Sequence, residues 1–148
     1  MNVAALNMLE CLLREDASNK TGARFDLRKW IAPYSEQGEG DTKREKWKPA
    51  LDCGTAACAI GLAMMHPWFN ERGFHFNLHN IPAYTNENNL TYVQWNAICE
   101  FFDIYLHEAE YLFSANNYGR HMGTYAEISV ADRIRKFTNL GSQPVQNT

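Results

Sequence analysis

The sequence lacks long apolar runs and a strong excess of charge of either sign. No stretch approaches the roughly 18 uninterrupted apolar residues of a membrane span, and the first residues lack the basic start and cleavage site of a secretory signal peptide. Fourteen Lys and Arg against 17 Asp and Glu give a net charge of −3. This balance argues against a protein built to coat nucleic acid. We therefore expect a cytoplasmic protein with no membrane contact and no strong nucleic-acid binding.

Cysteine is also scarce, and its pattern is irregular. The four cysteines stand at positions 11, 53, 58 and 99 and include no C-x-x-C pair. Scattered spacing of this kind is typical neither of a zinc site nor of a dense disulfide framework. We expect four reduced thiols, no metal and no cofactor.

The chain has the length and apolar content of one domain. Its 148 residues are 45% hydrophobic, which is enough to bury a core and predicts a single globular domain over residues 1–148. Residues 35–48 are almost wholly polar, with acidic and basic side chains in balance, and predict a mobile charged loop. Residues 139–148 predict a polar tail.

The spacing of apolar residues predicts the fold class. Apolar side chains recur at three- and four-residue steps over 3–14, 91–102, 106–113 and 124–137, which predicts four amphipathic helices. The last begins at Thr124-Tyr-Ala-Glu127, which has the form of a capping box. Alternation after residue 73 predicts a strand and, with 81–85 as its partner, a hairpin. We expect an α+β, predominantly helical single domain with one small β-hairpin.

Residues 52–66 predict a central buried helix. Asp52 is suited to the N-cap, and Pro67 must stop the helix. Small residues at four-residue spacing, among them Gly61, create a surface that another backbone can approach closely. Because glycine in a helix costs about 1 kcal/mol relative to alanine, packing or a ligand must offset it.

The start of this predicted helix admits three interpretations. Unpaired amides at a helix N-terminus stabilise a thiolate, so Cys53 is a candidate nucleophile with His75 or His79 as its base. The same amides, with the Thr55 hydroxyl and the bare Gly54, suit a phosphate or carboxylate. The third interpretation is structural, with the preceding aspartate filling the amides as a cap.

Two further groups of polar residues suit a ligand. His75 and His79 point the same way on the predicted strand, about 13 Å apart, which is too far to chelate one metal but suits a polar groove wall. The loop near residue 120 offers a phenol, a guanidinium and an imidazole, a set that suits a nucleotide-like anion. The candidate ligand-binding residues are Cys53, Gly54, Thr55, His75, His79, Tyr118, Arg120 and His121.

Four blocks in a fixed order resemble one protein family. Phe25-Asp26 with Trp30 is followed by CGTAACAIGLA at 53–63, by FF through EA to LF over 101–113, and by Glu127 with Arg133-Ile134. This order resembles a family of small bacteriophage and bacterial proteins that carry a CGTxACxxGxA motif. The resemblance implies a phage or mobile-element setting, in the cytosol of a host cell, and no particular activity.

These observations favour a binding protein over an enzyme. We expect a phage accessory protein that acts in counter-defence by binding a small nucleotide-like ligand or a host protein, as a monomer or a homodimer. One alternative is a cysteine-dependent hydrolase or transferase with Cys53 as nucleophile and His75 or His79 as base. The other is a pure protein-interaction module, in which exposed aromatic residues contact a host protein.

Overall fold

Two helices at opposite ends of the sequence frame the fold. The computed structural model describes residues 1–19, 21–33, 49, 51 and 55–142, with side chains as far as residue 140. Helices α1 (Val3–Ser18) and α6 (Gly123–Ser142) bury apolar faces and pack against each other. Residues 139–142, expected to begin a polar tail, continue α6. The predicted loop at 35–48 and the rest of the tail lie outside the described residues.

A small sheet replaces the first part of the predicted central helix. Its strands are β1 (Arg24–Phe25), β2 (Ile31–Pro33) and β3 (Thr55–Ala57). β3 is the middle strand, parallel to β1 and antiparallel to β2, with Ala56 opposite both Arg24 and Ala32. The prediction of one helix over 52–66 was therefore wrong at residues 55–57, because pairing with two distant segments outweighs the helix propensity of an alanine-rich run.

The helical part of this segment is short and fully buried. Helix α2 (Ala59–Met64) has Cys58 as its N-cap, and α3 (Pro67–Asn70) follows with Pro67 at its first position. The predicted close approach of a backbone is confirmed at Gly61, where an added Cβ would lie 1.7 Å from the carbonyl oxygen of Trp30. This contact locks α2 against the segment that leads into β2.

A second sheet corrects the prediction of a single hairpin. Its strands are β4 (Phe74–Phe76), β5 (Pro82–Thr85) and β6 (Thr91–Val93), joined as an antiparallel meander. The predicted hairpin forms, but residues 91–93, expected to be helical, add a third strand. Asn80 and Asn89 turn the chain between strands with φ of 57° and 60°, a region that asparagine tolerates better than most residues.

The remaining helices close the core. These are α4 (Gln94–Phe102) and α5 (Leu106–Phe113), which contact each other, followed by a 3₁₀ turn (Ala115–Asn117). Phe74 and Phe101 stack in the core with ring centroids 4.6 Å apart. The described residues thus form an α+β domain with six helices and two three-stranded sheets. Within this part of the chain, no helix combines the length and apolarity needed to cross a membrane.

Candidate ligand-binding site

Asp16 is held in the last turn of α1 by the chain that follows it. Its position continues the apolar stripe of Leu9, Leu12 and Leu13, so the side chain is directed inward. Asp16 Oδ1 accepts a hydrogen bond from the Ala23 N–H at 2.9 Å. At Gly22 an added Cβ would lie 2.5 Å from the same oxygen, so glycine allows this chain to fold closely over the carboxylate.

Glu127 lies on the opposite helix at an equally apolar position. It shares the buried stripe of α6 with Val130, Ala131 and Ile134, and only 2% of its surface is exposed. Its carboxyl faces that of Asp16 on α1, and the two groups interact electrostatically. A residue expected to cap the start of a helix therefore lies at the contact between α6 and α1.

The two carboxyl groups form a pair that needs a proton. Asp16 Oδ2 and Glu127 Oε2 are buried, and no N–H group of the described residues donates a hydrogen bond to either oxygen. Burial, the hydrogen bond to Asp16 and the charge of Asp16 raise the pKa of Glu127 to about 10. Burial also raises the pKa of Asp16, although the bonds from Glu127 and from the Ala23 N–H oppose this. Glu127 is therefore protonated at neutral pH and donates to Asp16.

This pair contrasts with another buried acid on the same two helices. Glu10 is 7% exposed, but it accepts from Arg14 Nε at 2.8 Å and lies 3.2 Å from Arg135 Nε. Two cations thus compensate one buried carboxylate there. For Asp16 and Glu127, the raised pKa of Glu127 keeps a proton on the pair. Carboxyl pairs of this kind are characteristic of functional sites, because they both accept and donate a proton.

A pocket opens beside the pair, and we call it the carboxyl pocket. Its volume is about 430 Å³, within the range of small-molecule sites. Besides Asp16 and Glu127, its lining includes Arg24 from β1 and the first residues of α6, Gly123 and Thr124. The first N–H groups of a helix have no acceptor inside the helix and favour anions. The pocket therefore combines a carboxyl pair with a guanidinium and a helix N-terminus.

A smaller cavity adjoins the carboxyl pocket, and we call it the basic cavity. It measures about 110 Å³ and shares Arg24 and Met122 with that pocket. Asp26 is 3% exposed and accepts two hydrogen bonds from Arg28, from Nε to Oδ1 at 3.0 Å and from Nη2 to Oδ2 at 3.1 Å. Burial alone would raise the pKa of Asp26, but the hydrogen bonds from Arg28 outweigh it and lower the pKa. With Lys29 also in the lining, the described residues give this cavity a positive balance.

The structure places Thr55, one of the candidate residues predicted near the central helix, away from a helix start. Cys53 and Gly54 lie outside the described residues. Thr55 is on β3 and not at a helix start, and it is fully buried. The helix N-terminus is instead at Cys58, which is 2% exposed. Burial raises the pKa of the Cys58 thiol to about 11, so the thiol is protonated at neutral pH.

The two histidines do not share a strand face. His75 lies on β4, and its Nδ1 is 2.9 Å from the carbonyl oxygen of Phe76. His79 lies beyond the strand, in the turn, where its N–H donates to Asn77 Oδ1. The prediction that both point the same way from one strand was therefore wrong. Neither histidine lines the carboxyl pocket.

The loop residues face different neighbours. The Tyr118 hydroxyl donates to the Leu112 carbonyl at 2.6 Å, and its ring is covered by Arg133 at 3.8 Å. Arg120 instead lies over Tyr125, 4.8 Å from the ring centre. His121 accepts a backbone bond from Leu27, which brings the next residue, Met122, to the rim of the carboxyl pocket. None of the three residues lines the carboxyl pocket.

No group of three His, Cys, Asp or Glu side chains in the described ranges is arranged to hold a metal ion. Comparisons of the chain with protein-family models, curated proteins and solved structures found no match. The resemblance to a phage family thus stays a prediction.

The environment of Cys58 predicts a selective alkylation pattern. We expect iodoacetamide at neutral pH to label the exposed Cys11 and to leave Cys58 unmodified until the protein is unfolded, since a buried, protonated thiol reacts poorly. Peptide mass spectrometry with and without denaturant measures both sites. Equal labelling of the two in the folded protein would contradict the prediction. The same data test the enzymatic alternative, because a nucleophilic Cys53 should be labelled ahead of Cys11.

Proposed function

We propose that the protein binds a small nucleotide-like ligand in the carboxyl pocket. The observation that carries the proposal is that Asp16 and Glu127, each with a buried carboxyl oxygen that has no hydrogen-bond partner among the described residues, both line one pocket. Burying two carboxyl groups next to each other is costly, so a pair of this kind is expected where it serves binding or chemistry. The setting implied by the phage-family resemblance makes counter-defence the role that we propose for this binding.

The chemistry of the pocket supports a ligand with both donors and an anionic group. Ribose hydroxyls and base amino groups are donors, and the carboxyl oxygens of Asp16 and Glu127 accept. Phosphate oxygens are acceptors, and Arg24 and the N-terminus of α6 favour them. A nucleotide carries both kinds of group, whereas a simple amine or a simple anion matches only one wall of the pocket.

Native mass spectrometry of the protein purified from its host tests this function. A small-molecule mass retained under native conditions and lost on denaturation is the expected result, and the mass identifies the ligand. Calorimetric titration with nucleotides then compares the wild type with Asp16→Asn, for which we expect affinity to fall on the order of tenfold through loss of a charged acceptor. Glu15→Gln removes an exposed carboxylate from the same helix and is the matched control. A bare mass together with no saturable binding of any nucleotide would refute the proposal.

An interaction surface is a second candidate function, supported by exposed aromatic residues on α5 and α6. Tyr105 is 73% exposed and Tyr125 66%, near the half-exposed Tyr111. Aromatic residues at the surface are typical of contact hot spots. Capture of a host protein that survives Asp16→Asn but is lost with Tyr125→Ala would favour this function over ligand binding.

A further inference from the structure

A third cavity shares Arg28 and Lys29 with the basic cavity, and we call it the aromatic cleft. It measures about 270 Å³ and is lined by two tryptophans, Trp30 and Trp95, together with Arg28, Lys29 and Asn116 among others. The indole rings are partly buried and meet edge to face, with centroids 5.4 Å apart and planes at 65°. A cleft with aromatic walls and cations at its edge is suited to a planar ring that carries negative charge.

The walls of the cleft are held by backbone contacts. The Lys29 carbonyl accepts from the Cys58 N–H at 2.8 Å, and the Trp30 carbonyl lies against Gly61. Trp95 stands in the first turn of α4. The cleft is therefore built from ordered elements and needs little rearrangement to receive a ligand, which reduces the entropic cost of binding.

The three cavities follow one another along a single segment of chain. The aromatic cleft and the basic cavity share Arg28 and Lys29, and the basic cavity and the carboxyl pocket share Arg24. The order is thus an aromatic end, a cationic middle and a carboxyl end. Asp26 holds the Arg28 guanidinium between the two outer sites through its paired hydrogen bonds.

We propose that the three cavities bind one ligand of the dinucleotide class, with a base in the aromatic cleft, the linking phosphate at the basic cavity, and the second nucleoside in the carboxyl pocket. This inference rests on the proposed function and specifies its ligand. A mononucleotide ends at its phosphate, so it fills the cleft and the cationic middle, or the middle and the carboxyl pocket, but not all three. Only a ligand whose phosphate lies between two donor-bearing or aromatic groups matches this order of side chains.

Titrations with defined probes test the inference. The probes are adenylyl-(3′→5′)-adenosine, AMP and inorganic phosphate, and the readouts are calorimetry and tryptophan fluorescence. We expect the dinucleotide to bind on the order of tenfold more tightly than AMP and to quench the fluorescence, because a base stacked on an indole contributes on this scale. Inorganic phosphate should bind most weakly of the three.

Variants assign the effect to the cleft. Trp95→Leu keeps apolar volume but removes the aromatic face, and it should lower dinucleotide affinity by about tenfold. Lys29→Gln, at an exposed position, should lower the affinity for the dinucleotide and make that affinity less dependent on salt concentration. Trp68→Phe is the matched control, since Trp68 lies on α3 under Arg72 and outside the cleft.

The outcomes separate this inference from the function on which it rests. Equal affinity for AMP and the dinucleotide, with both affinities unchanged in Trp95→Leu, would overturn the inference of a spanning ligand. If Asp16→Asn still lost nucleotide binding in that case, the carboxyl pocket would remain supported as the binding site. Quenching that is lost in Trp95→Leu but unchanged in Asp16→Asn would overturn the spanning ligand, and with it the role of the carboxyl pocket. Binding of none of the probes would overturn both.

Discussion

Glu127→Gln is expected to stabilise the protein, and more so as the pH rises. In the folded state the pKa of Glu127 is raised to about 10, whereas in the unfolded chain it returns to about 4.3. Between these values the folded state keeps a proton that the unfolded state releases. The free energy of unfolding of the wild type therefore decreases as the pH rises, by up to about 1.4 kcal/mol per pH unit from this group. The contribution of Glu127 to stability is greatest below the pKa that it has in the unfolded chain.

The glutamine variant removes this dependence while keeping the geometry. Its amide N–H donates to Asp16 as the protonated carboxyl does, and it does not ionise. Thermal melts from about pH 5 to pH 9 should show a gap between variant and wild type that widens with pH, by about 2–4 °C for each kcal/mol. Glu15→Gln, at an exposed position, should leave the wild-type profile unchanged. Parallel profiles for Glu127→Gln and the wild type would show that the pair holds no proton in this range.

A more stable variant would also bear on function. Proteins commonly keep groups that lower stability where binding or catalysis needs them. If Glu127→Gln melts higher but binds its ligand less well, the carboxyl pair is retained for the ligand. If it melts higher and binds equally well, the pair has no part in recognition and the proposal for the carboxyl pocket fails.

The helices were the part of the fold that local patterns predicted. Apolar stripes over 3–14, 106–113 and 124–137 match α1, α5 and α6, because one face of each helix packs into the core and its period of 3.6 residues is visible in the sequence. The ends were less certain. α1 and α6 both continue beyond the last periodic residue.

The short strands were not predictable in the same way. β3 has three residues, Thr55–Ala57, and its neighbours Arg24–Phe25 and Ile31–Pro33 lie more than twenty residues earlier in the chain. A strand of this length shows no alternation, and pairing with distant segments decides its conformation. Capping and small-residue spacing therefore indicated a helix that starts near residue 53, whereas the helix in the structure starts at Ala59.

The candidate site could have been predicted in part. Asp16 and Glu127 each fall on the apolar stripe of their helix, and an acid at such a position is a signal of a buried partner. Glu127 was instead interpreted as part of a helix cap. Which two acids meet depends on how α1 packs on α6, and this is a tertiary property. The contact between Trp30 and Trp95 was not predictable from their spacing.

Gly61→Ala is expected to destabilise the protein by about 3 kcal/mol, although alanine is the better helix former. In an exposed helix the exchange would stabilise by about 1 kcal/mol. At Gly61 the new methyl would lie 1.7 Å from the Trp30 carbonyl oxygen and 2.9 Å from the Ala57 Cβ. The obstacle at Trp30 is backbone in a sheet-flanking segment, so α2 or that segment must shift. Chemical denaturation measures the loss.

The same displacement reaches the aromatic cleft, because the atom that Gly61 accommodates belongs to Trp30. We therefore expect Gly61→Ala to lower the affinity for the dinucleotide probe, whose base stacks in the cleft, even at temperatures where the variant is folded. Gly119→Ala is the control, since an added Cβ there has no neighbour within 4 Å, and it should change neither stability nor binding. A Gly61→Ala protein of wild-type stability would show that the contact relaxes without cost. Loss of stability with unchanged probe binding would show that the packing of α2 can change without moving the Trp30 ring. Binding in the cleft would then be attributed to Trp95 and the cations.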